Sequence, residues 1–167
     1  MGDGATTRPI VRPSRAADLD ATVDLWYDTW HATFPDLRHQ EPKEEWRRRF
    51  ETEIAVGERV YVAEIDGLIA GFLAVKERGG GEGYLHEIFV APDFQRRGIG
   101  SVLMALAKEL APAGLRLHTL QRNGQACAFY ERHGFAPVSF GIGRVGLPNV
   151  QYGWTPSAAA GADRSPR

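Results

Sequence analysis

The chain has 167 residues, with 20 Lys or Arg against 21 Asp or Glu, for a formal net charge of −1. That length suits one hydrophobic core of ordinary domain size, and the near balance of charge excludes a general attraction to nucleic acid or anionic lipid. No apolar run approaches the roughly 18 residues of a membrane span, the start lacks a charged-then-apolar leader, and the one cysteine, Cys127, allows no intramolecular disulfide; a cytoplasmic protein is expected.

Residues 1–7 are small and polar and residues 156–167 carry no hydrophobic period, so the expected organisation is a flexible N-terminus, one domain over 8–155 and a flexible tail. Ile10 and Val11 predict a short first strand. Leu19, Val23, Trp26 and Trp30 recur at spacings of four, three and four, which marks one face of a helix. A second helix is predicted from Pro42 to about Ala55, with Trp46 and Phe50 inward and Arg47-Arg48-Arg49 mostly solvated. Val60 to Ile65 and Leu68 to Lys76 read as strands joined by the hairpin turn Asp66-Gly67. Arg78 to Gly83 is the longest linker candidate, and its Gly79-Gly80-Gly81 reads as an exposed hairpin loop ahead of a third strand from Tyr84 to Val90.

The stretch from Glu87 to Gly100 is the most informative. A strand runs into Pro92, and Gln95-Arg96-Arg97-Gly98-Ile99-Gly100 opens a helix whose apolar positions Ile99, Val102, Leu103, Leu106 and Leu110 follow at helical spacing. Amides at such a helix start have no partner inside the helix, and the dipole adds partial positive charge, so the turn suits a phosphate or pyrophosphate. Glycine at 98 and 100 keeps side chains out of that turn. The Gly-Lys-Ser/Thr of a Walker loop is absent, and a dinucleotide fingerprint would need a third glycine near Leu103 and an acidic residue about 20 positions on. Neither occurs, since the next strand, Leu115 to Leu120, runs into Gln121, Arg122 and Asn123. Asn123 is placed to cap a last helix reaching about His133, with Gly134 beyond it, and Phe135 to Gly141 and Asn149 to Trp154 read as closing strands.

Gln95 to Gly100 matches the Gln/Arg-x-x-Gly-x-Gly/Ala signature of the GNAT superfamily of acyl-CoA-dependent N-acyltransferases. A second signature of that family, Asn-x-x-Ala-x-x-Phe-Tyr followed by Gly-Phe, is matched by Asn123, Ala126, Phe129, Tyr130, Gly134 and Phe135. The chain therefore resembles this superfamily over roughly residues 8–154. The resemblance implies an α/β fold with a mixed, largely antiparallel sheet of about seven strands and helices on both faces. It also implies that the strands at 84–90 and 115–120 splay apart to admit acetyl-CoA.

On the same resemblance, the main chain of Ile88, Phe89 and Val90 would take the pantetheine arm, with Asn123, Ala126, Phe129 and Tyr130 beside it. Gln95, Arg96, Arg97, Gly98, Ile99, Gly100 and Ser101 would hold the pyrophosphate. Tyr130 would act as general acid toward the departing thiolate, its phenol being protonated at neutral pH. The general base is left open between His86 and Glu87, which face opposite ways in a regular strand, a parity that a bulge would change. The acceptor site in this family is walled by the first two helices and the last strands, which brings in Trp26, Trp30, Phe34 and Tyr152, although the same spacing equally suits core residues, the more so for Trp26 and Trp30. No histidine spacing suits a metal, and Cys127, between two alanines, reads as a small buried thiol. The implied activity is acetyl transfer from acetyl-CoA to a primary amine of a small molecule. A peptide or protein amine, or a non-catalytic acyl-CoA-binding module, is the alternative, and homodimer formation is left open.

Overall fold

The computed structural model describes residues 8–37 and 41–157. The expected flexible ends at 1–7 and in the tail beyond residue 157, and His39, lie outside the described residues.

Seven strands form one sheet: β1 (Ile10–Pro13), β2 (Arg59–Ile65), β3 (Leu68–Gly79), β4 (Glu82–Val90), β5 (Gly114–Leu120), β6 (Ala136–Ile142) and β7 (Pro148–Trp154). Their order is β1-β2-β3-β4-β5-β7-β6, and every neighbouring pair is antiparallel except β4 and β5. Helices α1 (Leu19–Thr33), α2 (Lys43–Arg49) and α3 (Ala55–Gly57) come before β2, α4 (Ile99–Leu110) joins β4 to β5, and α5 (Gly124–Arg132) joins β5 to β6. This is the mixed, largely antiparallel architecture expected. No helix among the described residues is long and apolar enough to cross a membrane.

The two faces of the sheet carry separate cores. On one, Ile99, Leu103, Met104 and Ala107 of α4 pack with Leu73, Val75, Leu85, Leu115, Leu117 and Tyr130. On the other, Val23 and Trp26 of α1 and Trp46 of α2 pack with Phe50, Ile54, Val62, Phe72 and Ala74. The rings there meet mostly edge to face, Trp26 and Trp46 at 4.6 Å between centroids.

The second helix departs from expectation by widening into a π-helical turn over Phe50–Ile54. Trp46, Phe50 and Ile54 are spaced by four, which overshoots a turn of 3.6 residues, and one wider turn brings the apolar stripe back onto the sheet. Arg49 is also not solvated as the rest of its run is: its guanidinium lies over the Trp26 ring at 5.6 Å, while Arg47 and Arg48 pair with Asp20 and Glu45 on the surface. The hairpin loop expected at Gly79-Gly80-Gly81 forms, and it is tighter than the span 78–83. β3 runs to Gly79, β4 starts at Glu82, and Gly80 and Gly81 turn the chain with φ of 62° and 79°.

Two irregularities shape the end of the sheet. β4 and β5 pair only at Glu82 with Gly114, Gly83 with Leu115 and Tyr84 with Arg116, and then diverge. On its other side β4 pairs with β3 through Ala74 with Glu87 and Val75 with Leu85, so His86 is an extra residue, a bulge.

Candidate active site

The divergence of β4 and β5 opens a cleft of about 500 Å³, walled by β4, the turn into α4, the end of β5 and the exposed side of α5. Residue parity along β4 decides what its backbone offers. Ala91 N–H donates to Ala70 of β3 at 2.9 Å, so by strand alternation Phe89 also turns its main chain to β3, while Ile88 and Val90 turn theirs to the gap.

One wall is built from backbone. A short helical turn at Pro92–Phe94 leads to Gln95 and then to Arg96 with φ of 61° and Gly98 with φ of 81°, after which α4 begins. The first bond inside α4 runs from Val102 N–H to Gly98 C=O at 3.1 Å. The amides of Gly98, Ile99, Gly100 and Ser101 therefore have no acceptor within the helix and lie at its positive end. A side chain at Gly98 would meet nothing within 4 Å but would have to hold a left-handed backbone, whereas a Cβ at Gly100 would lie 3.2 Å from the Phe129 ring. Phe129 thus packs over the helix start, with Asn123 capping α5 by accepting from Ala126 N–H at 3.2 Å.

Ile88, Phe89, Val90, Gln95, Arg96, Gly98, Ile99, Gly100, Ser101, Asn123, Ala126, Phe129 and Tyr130 all line the cleft. Arg97 does not; its guanidinium sits over the Phe94 ring at 5.4 Å. Gln95 has a different part from the one expected. Its main-chain N–H donates to Pro92 C=O and its side chain donates to Val90 C=O at 3.0 Å, so it fastens the turn to β4 and its main-chain amide is already engaged.

The opposite wall is built from side chains. Because His86 is the bulged residue, the regular alternation is broken there. Glu87 stands opposite Ala74 and shares the α1–α2 face with Phe89. His86 donates or accepts through Nδ1 at 2.5 Å from Glu58 Oε1, which follows α3 on that same face. Both residues left open from sequence therefore line the cleft side by side. Burial pushes the Glu87 carboxyl up to about 7, with His86 and Arg49 pulling it back. The hydrogen bond to Glu58 raises the His86 imidazole above its ordinary value, with burial opposing. Tyr130, on α5, is buried against Phe129, Phe135 and Tyr152 while still lining the cleft, and burial, then the nearby Glu87 charge, push its phenol upward.

Of the aromatic residues expected at the acceptor wall, Trp26, Trp30 and Tyr152 belong to the core and not to the cleft. Trp26 is a core residue 3% exposed, and Tyr152 is 3% exposed with its hydroxyl donating to Glu131 at 2.8 Å. Trp30 packs against Trp46 and Phe34 and does not line the cleft. Of the four, only Phe34 lines a hollow, an adjoining one of about 390 Å³ shared with Pro92, Arg122 and Gln125. Helical spacing marks burial equally well for core and site, and here the core won. In their place stand Thr29, Thr33, His118 and Thr119. His118 is bonded through Nδ1 to the Tyr84 hydroxyl at 2.7 Å, across the mouth of the splay. The alternation of Arg116 and His118 with core-facing Leu115 and Leu117 was the available signal for His118. Nothing in the sequence around Glu58 marks it.

Residues 20–135 match the family model described as "Acetyltransferase (GNAT) family". A peptidyl-lysine N-acetyltransferase of Escherichia coli, YiaC, is 30% identical over 131 residues, covering 75% of this chain and 82% of that one. Among solved structures, the histone acetyltransferase HPA2 and related acetyltransferase of Corynebacterium glutamicum superposes with a TM-score of 0.72 at 20% identity, covering 90% of this chain and 97% of that one. The PaiA N-acetyltransferase of Thermoplasma acidophilum, in complex with coenzyme A, gives 0.67 at 18% identity over 86% of this chain and 97% of its own.

Proposed function

The chain belongs to the acetyltransferase (GNAT) family, and from that premise we propose that it acetylates the primary amine of a small molecule by direct attack within the cleft between β4 and β5. The family brings N-acetyltransferase activity with acetyl-CoA as donor; the acceptor and the residue roles are the proposal. A single domain over residues 8–155 carries the reaction.

The observation that carries this reading is what the cleft brings together: four helix-start amides on the α4 side, Glu87 on the α1–α2 side, and Tyr130 of α5 lining the same space. The amides of Gly98 to Ser101 suit a diphosphate, with Arg96 on the rim, and the gap-facing main chain of Ile88 and Val90 suits the amides of the pantetheine arm. Acetyl-CoA supplies a thioester carbonyl and a thiolate leaving group. A fixed main-chain N–H on β4 stabilises the negative charge that grows on that carbonyl oxygen, without reorganising as solvent would. Glu87, held near neutrality, is partly ionised at pH 7 and takes a proton from the attacking nitrogen. Tyr130 is kept protonated by its burial and gives its proton to the departing sulfur.

A second reading, a lysine ε-amine in a peptide, is favoured by the named activity of the E. coli relative. Release of coenzyme A from acetyl-CoA, followed over a panel of small primary amines and lysine-containing peptides, separates the two. Turnover with a small amine supports the first reading, turnover with peptides alone moves the assignment to the second, and no release with any amine overturns both.

A further inference from the structure

The acceptor nitrogen gives up two protons in each turnover. An alkyl amine of pKa near 10 arrives as an ammonium and leaves as an amide with one hydrogen. One proton departs when ammonium becomes amine, and a second when the N–C bond forms and the C–S bond breaks. The thiolate takes one proton from Tyr130, one of the nitrogen's two restores the Tyr130 phenol, and the other passes to solvent. Two acceptors beside the nitrogen serve this sequence better than one.

The bulge supplies a second. His86 lines the cleft next to Glu87, and its Nδ1 is committed to Glu58 Oε1 at 2.5 Å. The Glu58 side chain is only 4% exposed, and its other oxygen, Oε2, is buried without a hydrogen-bond partner among the described residues. A buried carboxylate at hydrogen-bonding distance from Nδ1 holds the ring in the Nδ1–H tautomer and leaves Nε2 as the basic nitrogen, stabilising the imidazolium that forms when Nε2 is protonated. We infer that Glu58 is a positioning residue and that Glu58 and His86 together form a second proton acceptor for the substrate nitrogen, beside Glu87. The inference rests on amine acetylation as the reaction. Around His86 the ionisable groups are Glu58 after α3, Arg49 of α2, Glu87 and Tyr84 on β4 and, through Tyr84, His118 of β5. Arg49 opposes protonation of the ring, whereas Glu58 and Glu87 favour it.

The alternative is an ion pair that merely fastens α3 to β4. Glu58→Gln keeps the size and an acceptor oxygen for Nδ1–H and removes the charge. In the wild type the acid limb of log kcat/KM against pH is expected to approach a slope of two. Glu58→Gln is expected to lower kcat/KM at pH 7.5 on the order of tenfold to a hundredfold, with little change in KM, and to move one of the two breaks to lower pH. Glu58→Asp is expected to restore part of the loss. Nitrogen-15 shifts of the His86 ring, read without acetyl-CoA, are expected to show Nδ1–H in the neutral wild type and a lower titration midpoint in Glu58→Gln. The inference is overturned by a Glu58→Gln enzyme within twofold of wild type with an unmoved limb, or by a neutral His86 carrying its proton on Nε2. Wild type active with Glu58→Gln unaffected removes this inference alone; wild type inactive toward every amine removes the proposed function as well.

Discussion

The two walls of the cleft are made of different material. The wall toward α4 is backbone: Gly98 to Ser101 present amides because they are the first residues of a helix, and Gln95 ties the turn to β4. The wall toward α1 and α2 is side chain: Glu87, His86 and Glu58 meet because a bulge and a widened helical turn bring them together. A backbone wall tolerates most substitutions that keep its turn, whereas a wall of titrating groups changes its chemistry with the loss of one oxygen.

The sharpest test of that contrast is Glu87→Gln. It is expected to lower kcat/KM on the order of a thousandfold and to remove the break near pH 7, below which the wild-type base is protonated. Stability is expected to move the other way. The Glu87 carboxyl is raised from 4.5 to about 7 by folding, so its contribution is fully present below about pH 4.5 and is lost as pH rises through 7. Glu87→Gln cannot ionise, so its thermal midpoint should equal or exceed the wild type's at pH 8 and show no advantage at pH 4. A lower midpoint at pH 8 would break the assignment of Glu87 as a desolvated base. Tyr130→Phe comes next: kcat should fall about a hundredfold while calorimetry finds coenzyme A affinity within twofold, since the ring packing against Phe135 and Tyr152 is retained.

On the backbone wall the effects are smaller. Gly98→Ala meets no atom within 4 Å, so its cost is the left-handed backbone alone, about 1–2 kcal/mol, with coenzyme A binding weakened about tenfold if the turn relaxes to relieve it. Smallest is the pair Arg96→Ala and Arg97→Ala. Arg96 lines the cleft and its loss should weaken coenzyme A about fivefold to tenfold, while Arg97, stacked on Phe94, should change it less than twofold. Equal losses at both positions would show that the turn rearranges to bring Arg97 onto the ligand.

The same division explains what the amino-acid sequence makes legible by itself. The backbone wall is written locally, because a helix start, a left-handed glycine and the Asn123 cap each announce themselves within a few residues. The hairpin at Asp66-Gly67, with φ of 51° and 79°, was legible for the same reason. The side-chain wall depends on register between distant segments. Whether His86 and Glu87 share a face was undecided until the pairing of Ala74 and Val75 with β4 located the extra residue. Glu58 lies 28 residues from His86, and although the four-residue spacing of Trp46, Phe50 and Ile54 hints at the widened turn before it, nothing local places it against β4. For Trp26 and Tyr152 the sequence leaves core and pocket open, because an aromatic at helical or strand spacing satisfies both alike, and burial decides for the core.

Three rungs hold β4 to β5, and the Tyr84–His118 bond stands just beyond them. Past that point the sheet is two flaps on a short spine, and the main chain of Ile88 and Val90 is a ladder with one rail. A guest that supplies the other rail finishes the architecture as it docks, so part of its grip is folding that the chain postponed. The amides of residues 88 and 90 should therefore exchange with solvent quickly in the free protein and slow markedly once coenzyme A is seated, while those of residues 82–84, already laced to β5, barely change.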